Sequence, residues 1–460
     1  MKSLWRQVKF VGVLSFGFVG LQACSPEVNN ALKKPESRVF ANDPQYERYE
    51  AIIRTPLRGL TVPDQFSLID DFDAFMAWHE KYTTGRYPDD SGKIQYQRER
   101  GLTLIHCLED AKTLVGTRSL TEGEGSYEGN SRARYKRHYS KVQNECEDVL
   151  NQQFLHNPHF GSEQYAQILR HWSENSVLDN INRTAAKIPV SNSARTTFVY
   201  ATWSRVGFSM AHYALYHRLY GLSETEVRQV DLMFTDFVEN FDYYRNFRSS
   251  GPSFQKVCNL TERATVVPNS TNDHCGSANL RIAVGAVLYG LEFNNQRVFD
   301  YGIRRLEIVL ATFDESNAYT AQIFRGMMAL GYARQVIKEL DKFDYAFQKA
   351  FGIDFSEMET VHGSTPTKVY LELLDFANNP KRLLEYFGRN GYGTDRRGGN
   401  LKAALAKIEK GEEDPSAVWE AFNLNDYYLY GGQMAADHYP EQFFKLLHCT
   451  AGDRVRYVND

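Results

Sequence analysis

Apolar residues recur at helical spacing along most of the chain. From Asp64 to Tyr82 large apolar side chains return every three or four residues, which is the pattern of an amphipathic helix. The same pattern predicts further helices at residues 98–114, 131–154, 162–175, 194–219, 223–241, 278–293, 297–313, 321–343, 365–377, 380–387, 401–410 and 417–422. The sequence shows no run of regularly spaced segments with alternating polarity, so a large β domain is not expected. The pattern therefore predicts an all-α protein.

Short and medium loops join these segments, and this arrangement is typical of stacked helical hairpins. Ser223 followed by Glu226 has the spacing of a capping box and supports the helix start predicted there. Periodicity alone does not choose between a solenoid, a bundle and a closed toroid.

The composition is that of an ordinary globular protein, with 42% hydrophobic and 24% charged residues. The formal net charge is −4, and it becomes −7 once the three positive charges of the first 23 residues are removed. This balance argues against nucleic acid as a partner. No Cys or His spacing indicates a structural metal site, and no motif indicates a nucleotide cofactor, so neither is expected.

The first residues combine a basic start with an apolar run from Phe10 to Leu21 that is too short for a convincing membrane span. The run ends in Leu-Gln-Ala-Cys, which resembles the processing site of a bacterial lipoprotein. This resemblance implies a signal peptide at 1–23, lipidation of Cys24 and a polar tether over residues 24–60, followed by a helical domain at 61–460. Ser25 after the cysteine implies the outer membrane, with the domain in the periplasm.

An envelope location permits disulfide bonds. Cys258 and Cys275 flank the loop that leads to the polar residues described next, so a bridge between them would hold that loop at both ends. Cys107 with Cys146 is a second candidate pair, and Cys449 would then be left over. The sequence leaves both pairings open.

Arg325 and Tyr332 are seven residues apart on a predicted helix, so their side chains return to nearly the same face, about 10 Å apart along the axis. The two residues can therefore point at one ligand. Gly326 directly follows Arg325, and Gly331 directly precedes Tyr332. In a helix interior each glycine lowers stability by about 1 kcal/mol relative to alanine. This cost indicates that a neighbouring group needs the space.

A second polar cluster, Asn272, Asp273 and His274, follows the loop of residues 267–271 and comes just before the helical pattern that starts at about Ala278. Exposed N–H groups and the helix dipole favour an anion at such a helix start. We interpret the two clusters as two walls of one active site. Trp203, Arg205, His212 and Tyr216 lie on another long predicted helix, where core packing explains them equally well.

The segment NDHCGSANLRIAVGAVLYG, followed by IFRGMMALGY, resembles the alginate lyase family of polysaccharide lyases. In that family an Asn-His pair opens one helix, and an Arg precedes a Tyr by seven residues on a later helix. The resemblance covers residues 196–340 and implies an α/α toroid, incomplete or closed, of stacked helical hairpins. It also implies that His274, Arg325 and Tyr332 are catalytic.

The chain departs from the family at the asparagine, because Asp273 stands directly before His274 and Asn272 lies one place earlier. A shift of one residue would make Asn272 the catalytic asparagine, whereas Asp273 would contact the substrate. An aspartate there repels a substrate carboxylate unless it is protonated or paired.

The implied chemistry is metal-independent β-elimination in an acidic, uronate-containing polysaccharide such as alginate. The enzyme must neutralise the carboxylate, remove the C5 proton and protonate the O4 leaving group. Arg325 and His274 can serve the first step, and Tyr332 the others if neighbouring positive charge lowers its pKa from about 10. Two alternatives stay open: a non-catalytic glycan-binding or structural lipoprotein on the same toroid, and a glycoside hydrolase.

Overall fold

The computed structural model describes residues 55–77, 158–179, 193–240, 277–320 and 329–379 of the 460-residue chain. Shorter described pieces are 382–383, 385–386, 403, 406–407 and 409–412.

Seven α-helices account for most of the described part, and their order follows the prediction. They are α1 (Pro158–Glu174), α2 (Ser193–Tyr216), α3 (Glu224–Asn240), α4 (Ser277–Glu292), α5 (Gln296–Leu310), α6 (Ala329–Phe351) and α7 (Pro366–Asn378), with a 3-10 turn His217–Leu219 after α2. The described residues contain no strand, only an isolated bridge between Phe313 and Tyr319. The predicted all-α class is confirmed.

Side-chain caps explain why several helices start where they do. Ser223 and Glu226 form the predicted capping box: Ser223 N donates to Glu226 Oε2 at 2.6 Å, and Glu226 N donates to Ser223 Oγ at 3.3 Å. Asn295 accepts a hydrogen bond from Val298 N before α5, and Thr365 accepts one from Lys368 N before α7. Each cap satisfies a backbone donor that the first helical turn leaves open.

Helix α4 is the central element, because it packs against α2, α5 and α6. It meets α2 at two glycines, where the backbones touch. A Cβ atom on Gly285 would lie 2.1 Å from the carbonyl oxygen of Gly207, and a Cβ on Gly207 would lie 2.4 Å from that of Arg281. No side chain fits between the two helices at this crossing.

Helices α4 and α5 form an antiparallel hairpin, since only residues 293–295 join them. Gly290 lies against Phe299, and further along Gly302 lies against Val287 and Ala283. Helix α6 packs against α4 in turn, and Phe351 near its end contacts Phe299 near the start of α5 at 5.8 Å between ring centroids. Helix α6 therefore ends where α4 ends, and from this shared end we infer that the two packed helices run in the same direction.

Residues 55–71, which we call the strap, cross the helices without regular secondary structure. Leu57, Val62 and Leu68 fill the core from this segment. The buried residue Leu57 is among the residues that the sequence analysis gives to the tether. The helix predicted from Asp64 begins only at Phe72, and its first eight residues were predicted wrongly.

Helix side chains, instead of a neighbouring turn, satisfy the backbone of the strap. Leu68 N donates to Glu292 Oε2 at 2.6 Å, and the Leu68 carbonyl accepts from the Tyr345 hydroxyl at 2.6 Å. Val62 N donates to Gln296 Oε1 at 2.8 Å. The bonds at Leu68 replace the helical bonds that the apolar periodicity predicted from Asp64 onward.

Glu307 of α5 is a further helix side chain that bonds to the strap, and 0% of its surface is exposed. It accepts hydrogen bonds from Thr55 N at 2.7 Å and Thr55 Oγ1 at 2.8 Å, and it forms an ion pair with Arg58. A buried carboxylate is tolerated only when it is paired and hydrogen-bonded in this way.

No helix in the described part of the chain is long and apolar enough to cross a membrane.

We expect Gly285→Ala to lower the free energy of unfolding by about 3 kcal/mol, because the added methyl group forces α2 and α4 apart. Urea denaturation followed by circular dichroism measures this change. An unfolding midpoint equal to that of the parent protein would show that the crossing tolerates a side chain.

We expect Glu307→Gln to destabilise the protein by about 3 kcal/mol, because it breaks a buried ion pair. Glu239→Gln is the matched control, since Glu239 pairs with Arg297 at 2.9 Å on the surface, with the two side chains 37% and 34% exposed. That control should change stability by less than about 1 kcal/mol. Equal losses in the two variants would contradict a special role of Glu307 in holding the strap.

Candidate functional site

Most residues of the predicted site lie outside the described residues. These are Asn272, Asp273, His274 and Arg325, and the predicted lipidation residue Cys24 lies outside them as well. Tyr332 belongs to α6, but its side chain is not described. The assignments therefore stay predictions, and the structure bears on them through the described residues that flank them.

Both clusters adjoin the N-terminal ends of described helices. Helix α4 begins at Ser277, three residues after His274 and within one residue of the predicted start. Tyr332 is the fourth residue of α6 as described, which confirms that this residue is helical. The described residues bear on the relation between the two clusters through the relation between α4 and α6.

The two helices pack together, and both contact Leu68 near their C-terminal ends. Leu68 N donates a hydrogen bond to Glu292 of α4, and the Tyr345 hydroxyl of α6 donates one to the Leu68 carbonyl. Ser277 lies 15 residues before Glu292, about 22 Å along α4. Tyr332 lies 13 residues before Tyr345, about 20 Å along α6. Because the helices run in the same direction, Ser277 and Tyr332 lie at the same end of the helix layer, which we call the Ser277 end.

Helix α5 returns to this end. The contacts of Gly290 with Phe299 and of Gly302 with Ala283 set the register of the hairpin, and its continuation puts Ser277 level with about residue 310. The chain then turns through residues 311–320, which we call the Asp314 loop. Thr320, the last residue of this loop, is helical and precedes Arg325 by five residues.

The Asp314 loop is tightly closed. Thr320 N and Thr320 Oγ1 both donate to the Thr312 carbonyl, at 3.0 and 2.7 Å. The rings of Phe313 and Tyr319 meet edge to face, with centroids 5.5 Å apart, and both residues are fully buried. The chain therefore leaves the loop from a defined point and in a defined direction.

The charges near the Ser277 end are unevenly distributed. Helix α4 has no acidic residue in its first turn, so no carboxylate there offsets the positive end of its dipole. Further along α6, Glu339 and Lys342 form an ion pair of 2.8 Å in which both residues are almost fully buried. Glu339 follows Tyr332 by seven residues, which puts it on the same helix face and about 10 Å away along the axis.

His362 lies beside the Asp314 loop, close to Ala311, Asp314 and Glu315. Burial lowers the pKa of His362, and the nearby carboxylates of Glu315 and Asp314 oppose this shift. The sequence analysis did not identify His362 or Asp314, because neither residue stands in a recognisable motif.

Two of the residues of α2 that the sequence left undecided, His212 and Tyr216, belong to the core. His212 and Tyr216 are buried, and His212 Nδ1 hydrogen-bonds the Tyr220 hydroxyl at 2.5 Å. The ring of His212 also stacks on Tyr165 at 4.1 Å. Arg205 is partly exposed, and the side chain of Trp203 lies outside the description.

Within the described ranges, no group of three or more His, Cys, Asp or Glu side chains is placed to hold a metal ion.

No protein-family model matches the chain, and no curated protein matches it. Three solved structures to which it is similar are all of alginate lyase A1-III. One is from Sphingomonas species A1, with 13% sequence identity and a TM-score of 0.36; the match covers 55% of this chain and 61% of that one. A Tyr-to-Phe variant complexed with tetrasaccharide gives 12% identity and a TM-score of 0.36, over 56% of this chain and 63% of the other.

The third structure is the apo form of a His-to-Ala variant, with 12% identity and a TM-score of 0.37 over 56% of this chain and 62% of the other. The match thus spans about three fifths of the length of each of these lyases.

Proposed function

We propose that the protein is a polysaccharide lyase that cleaves an acidic, uronate-containing polysaccharide by β-elimination, with alginate as the first candidate substrate. One observation carries the proposal. His274 lies three residues before α4, Tyr332 lies near the start of α6, and these two helices pack together and share contacts at their C-terminal ends, which supports N-terminal ends on the same side. An active site built from both clusters needs this arrangement.

In the proposed reaction the first task is to neutralise the uronate carboxylate. Arg325 and His274 supply positive charge and hydrogen bonds, and Asn272 donates from its amide. The N-terminal end of α4 adds its dipole, which no acidic residue in the first turn of the helix offsets. Together these groups stabilise the negative charge that develops as the C5 proton leaves.

Tyr332 is the proposed base and acid. Its phenolate removes the C5 proton, the C4–O4 bond breaks, a double bond forms between C4 and C5, and the proton passes to the departing O4. A base in this role needs a pKa near the working pH. Tyr345 on the same helix is unsuited to it, because burial and the nearby Asp70 and Glu292 raise its pKa to about 12.

We further propose that the protein is lipid-anchored at Cys24 in the cell envelope, at the outer membrane and facing the periplasm. The lipoprotein-like sequence around Cys24 supports this location. The partners are then the membrane, through the anchor, and an acidic polysaccharide.

Asp273 favours a second candidate function, a glycan-binding protein that has lost the lyase reaction. Its carboxylate stands where the family has asparagine, directly before His274, and an ionised carboxylate cannot donate the hydrogen bond by which an amide would help to neutralise the uronate for elimination. Only elimination creates an unsaturated product, so ultraviolet absorbance separates the lyase from both the binding protein and a hydrolase.

We expect the purified domain to raise the ultraviolet absorbance of at least one of polymannuronate, polyguluronate and glucuronate-containing glycans. Tyr332→Phe should abolish this rise and leave the fold intact by circular dichroism, because it removes the proton-transferring hydroxyl. Tyr345→Phe is the matched control, since its hydroxyl bonds the Leu68 carbonyl at the far end of the same helix. That variant should keep most of the activity.

Full activity in Tyr332→Phe would exclude Tyr332 from the mechanism. Absence of any absorbance rise in the parent protein, together with detectable glycan binding, would favour the second candidate function.

We expect Asp273→Asn to raise kcat/KM on the uronate polymer about tenfold, because the change removes like-charge repulsion between the protein and the substrate. A tenfold change corresponds to about 1.4 kcal/mol. The control is Asp70→Asn, which makes the same charge change at an 82% exposed side chain on the strap. Steady-state kinetics at low and high salt measure both variants. A decrease in kcat/KM for Asp273→Asn would show that this carboxylate assists the reaction.

A further inference from the structure

Glu292, like Glu307, holds the strap with its carboxyl group. It is the last residue of α4, and its side chain is 7% exposed. The C-terminal end of a helix carries the negative end of the dipole and open carbonyl groups, and no basic residue in the last turn of α4 offsets them. This position favours a neutral carboxyl group over an ionised one.

The contacts of Glu307 are those of an ionised carboxylate. Oε1 accepts hydrogen bonds from Thr55 N and Thr55 Oγ1, and Oε2 accepts one from Arg58 Nε. The guanidinium of Arg58 supplies the opposite charge. Both oxygens of Glu307 thus meet donors, and the charge has a partner.

The two oxygens of Glu292 have different surroundings. Oε2 accepts a hydrogen bond from Leu68 N at 2.6 Å. Oε1 lies 3.4 Å from Ser67 Oγ and 3.8 Å from His217 Nε2. Ser67 has one hydroxyl hydrogen, and the Ile69 carbonyl accepts it at the shorter distance of 3.0 Å.

The ring of His217 also directs its hydrogen elsewhere. Nδ1 lies 3.3 Å from the Ala214 carbonyl, which can only accept, so Nδ1 carries the hydrogen. Burial lowers the pKa of His217, so the ring is neutral at neutral pH and Nε2 presents a lone pair. Glu292 Oε1 therefore faces two hydrogen-bond acceptors, and a proton on Oε1 can serve either of them.

The charged groups around Glu292 make their closest contacts with the strap. Arg218, on the turn after α2, donates to two strap atoms at 3.4 Å. On α6, Lys349 pairs with Asp70 at 2.9 Å, and Tyr345 is neutral because its pKa is raised to about 12. Burial raises the pKa of Glu292 above its ordinary value, and the charges of Arg218 and Lys349 only oppose this shift.

We propose that Glu292 holds the strap as a neutral carboxylic acid, and that the strap loosens when this group loses its proton. The proton completes the hydrogen bonds at Oε1, whereas its loss leaves a desolvated carboxylate that faces lone pairs. The inference does not depend on the proposed function.

The sign of the pH dependence follows from the raised pKa of Glu292. Its contribution to holding the strap is fully present below the ordinary value of about 4.5 and is lost as the pH rises through the raised value. His217 acts in the opposite direction, because its lowered pKa favours the bound strap above about 6.5. A test must therefore separate Glu292 from His217.

Glu292→Gln makes this separation, because His217 stays in place. Glutamine keeps an oxygen for Leu68 N and adds an N–H donor that needs no proton uptake. Hydrogen exchange of residues 55–71, followed by mass spectrometry, measures opening of the strap. At pH 7.5 we expect exchange about tenfold slower in Glu292→Gln than in the parent protein, and at pH 4.5 we expect rates within about twofold of each other.

Glu307→Gln is the matched control, since it makes the same change on the same strap but removes the ionised partner of Arg58. We expect faster exchange of the strap in this control at pH 7.5, and circular dichroism checks that both variants keep their helices. Equal or faster exchange in Glu292→Gln than in the parent protein at pH 7.5 would show that the strap needs the charge of Glu292 and would overturn the inference. Slowing of the same size at both pH values would also overturn it, because the effect would then have no link to the proton.

Discussion

The backbone contact between α2 and α4 is the constraint on which the described helices depend. At Gly207 and Gly285 neither helix has a side chain to separate them, so α4 sits deep enough to be covered on its other faces by α5 and α6. Its residues from Leu280 to Leu291 are almost all buried, which suits a segment that is apolar on every face. A helix held in this way has little freedom to shift, and its N-terminal end is a fixed reference for any group placed beside it.

The strap shows how buried polar side chains can replace the backbone hydrogen bonds of regular secondary structure. Glu292, Gln296 and Glu307 lie on the inner helices, yet their side chains serve as partners for backbone and side-chain groups of residues 55–68. Buried carboxylates of this kind are costly when unpaired, so the strap and the helices depend on each other for stability. Among the described residues, the segment closest in sequence to the proposed membrane anchor is thereby fastened directly to α4 and α5.

Local signals in the sequence predicted the helices well, because capping and periodicity act within a few residues. Ser223 with Glu226, and the start of α4 near Ala278, are examples. The strap was misread because Phe66 and Ile69 have helical spacing, whereas the bond that decides its conformation joins Leu68 to Glu292, 224 residues away. The same reason hid the hydrogen bond between Tyr386 and Asp314, which are 72 residues apart. Of the candidate site, the sequence predicted the helical setting of Tyr332, whereas the side-chain geometry of the two clusters lies beyond the described residues.

The path of the chain between the two clusters explains how residues 51 positions apart, His274 and Arg325, can serve one site. Helix α4 carries the chain about 22 Å away from the Ser277 end, and α5, of almost equal length, brings it back. The chain then turns at the Asp314 loop, and α6 starts at Ala329, nine residues after Thr320. A hairpin with arms of unequal length would separate the two ends by about 1.5 Å for each residue of difference. The near-equal lengths of α4 and α5 are therefore a requirement of the proposed site, and the tight closure of the Asp314 loop keeps the return of the chain in register.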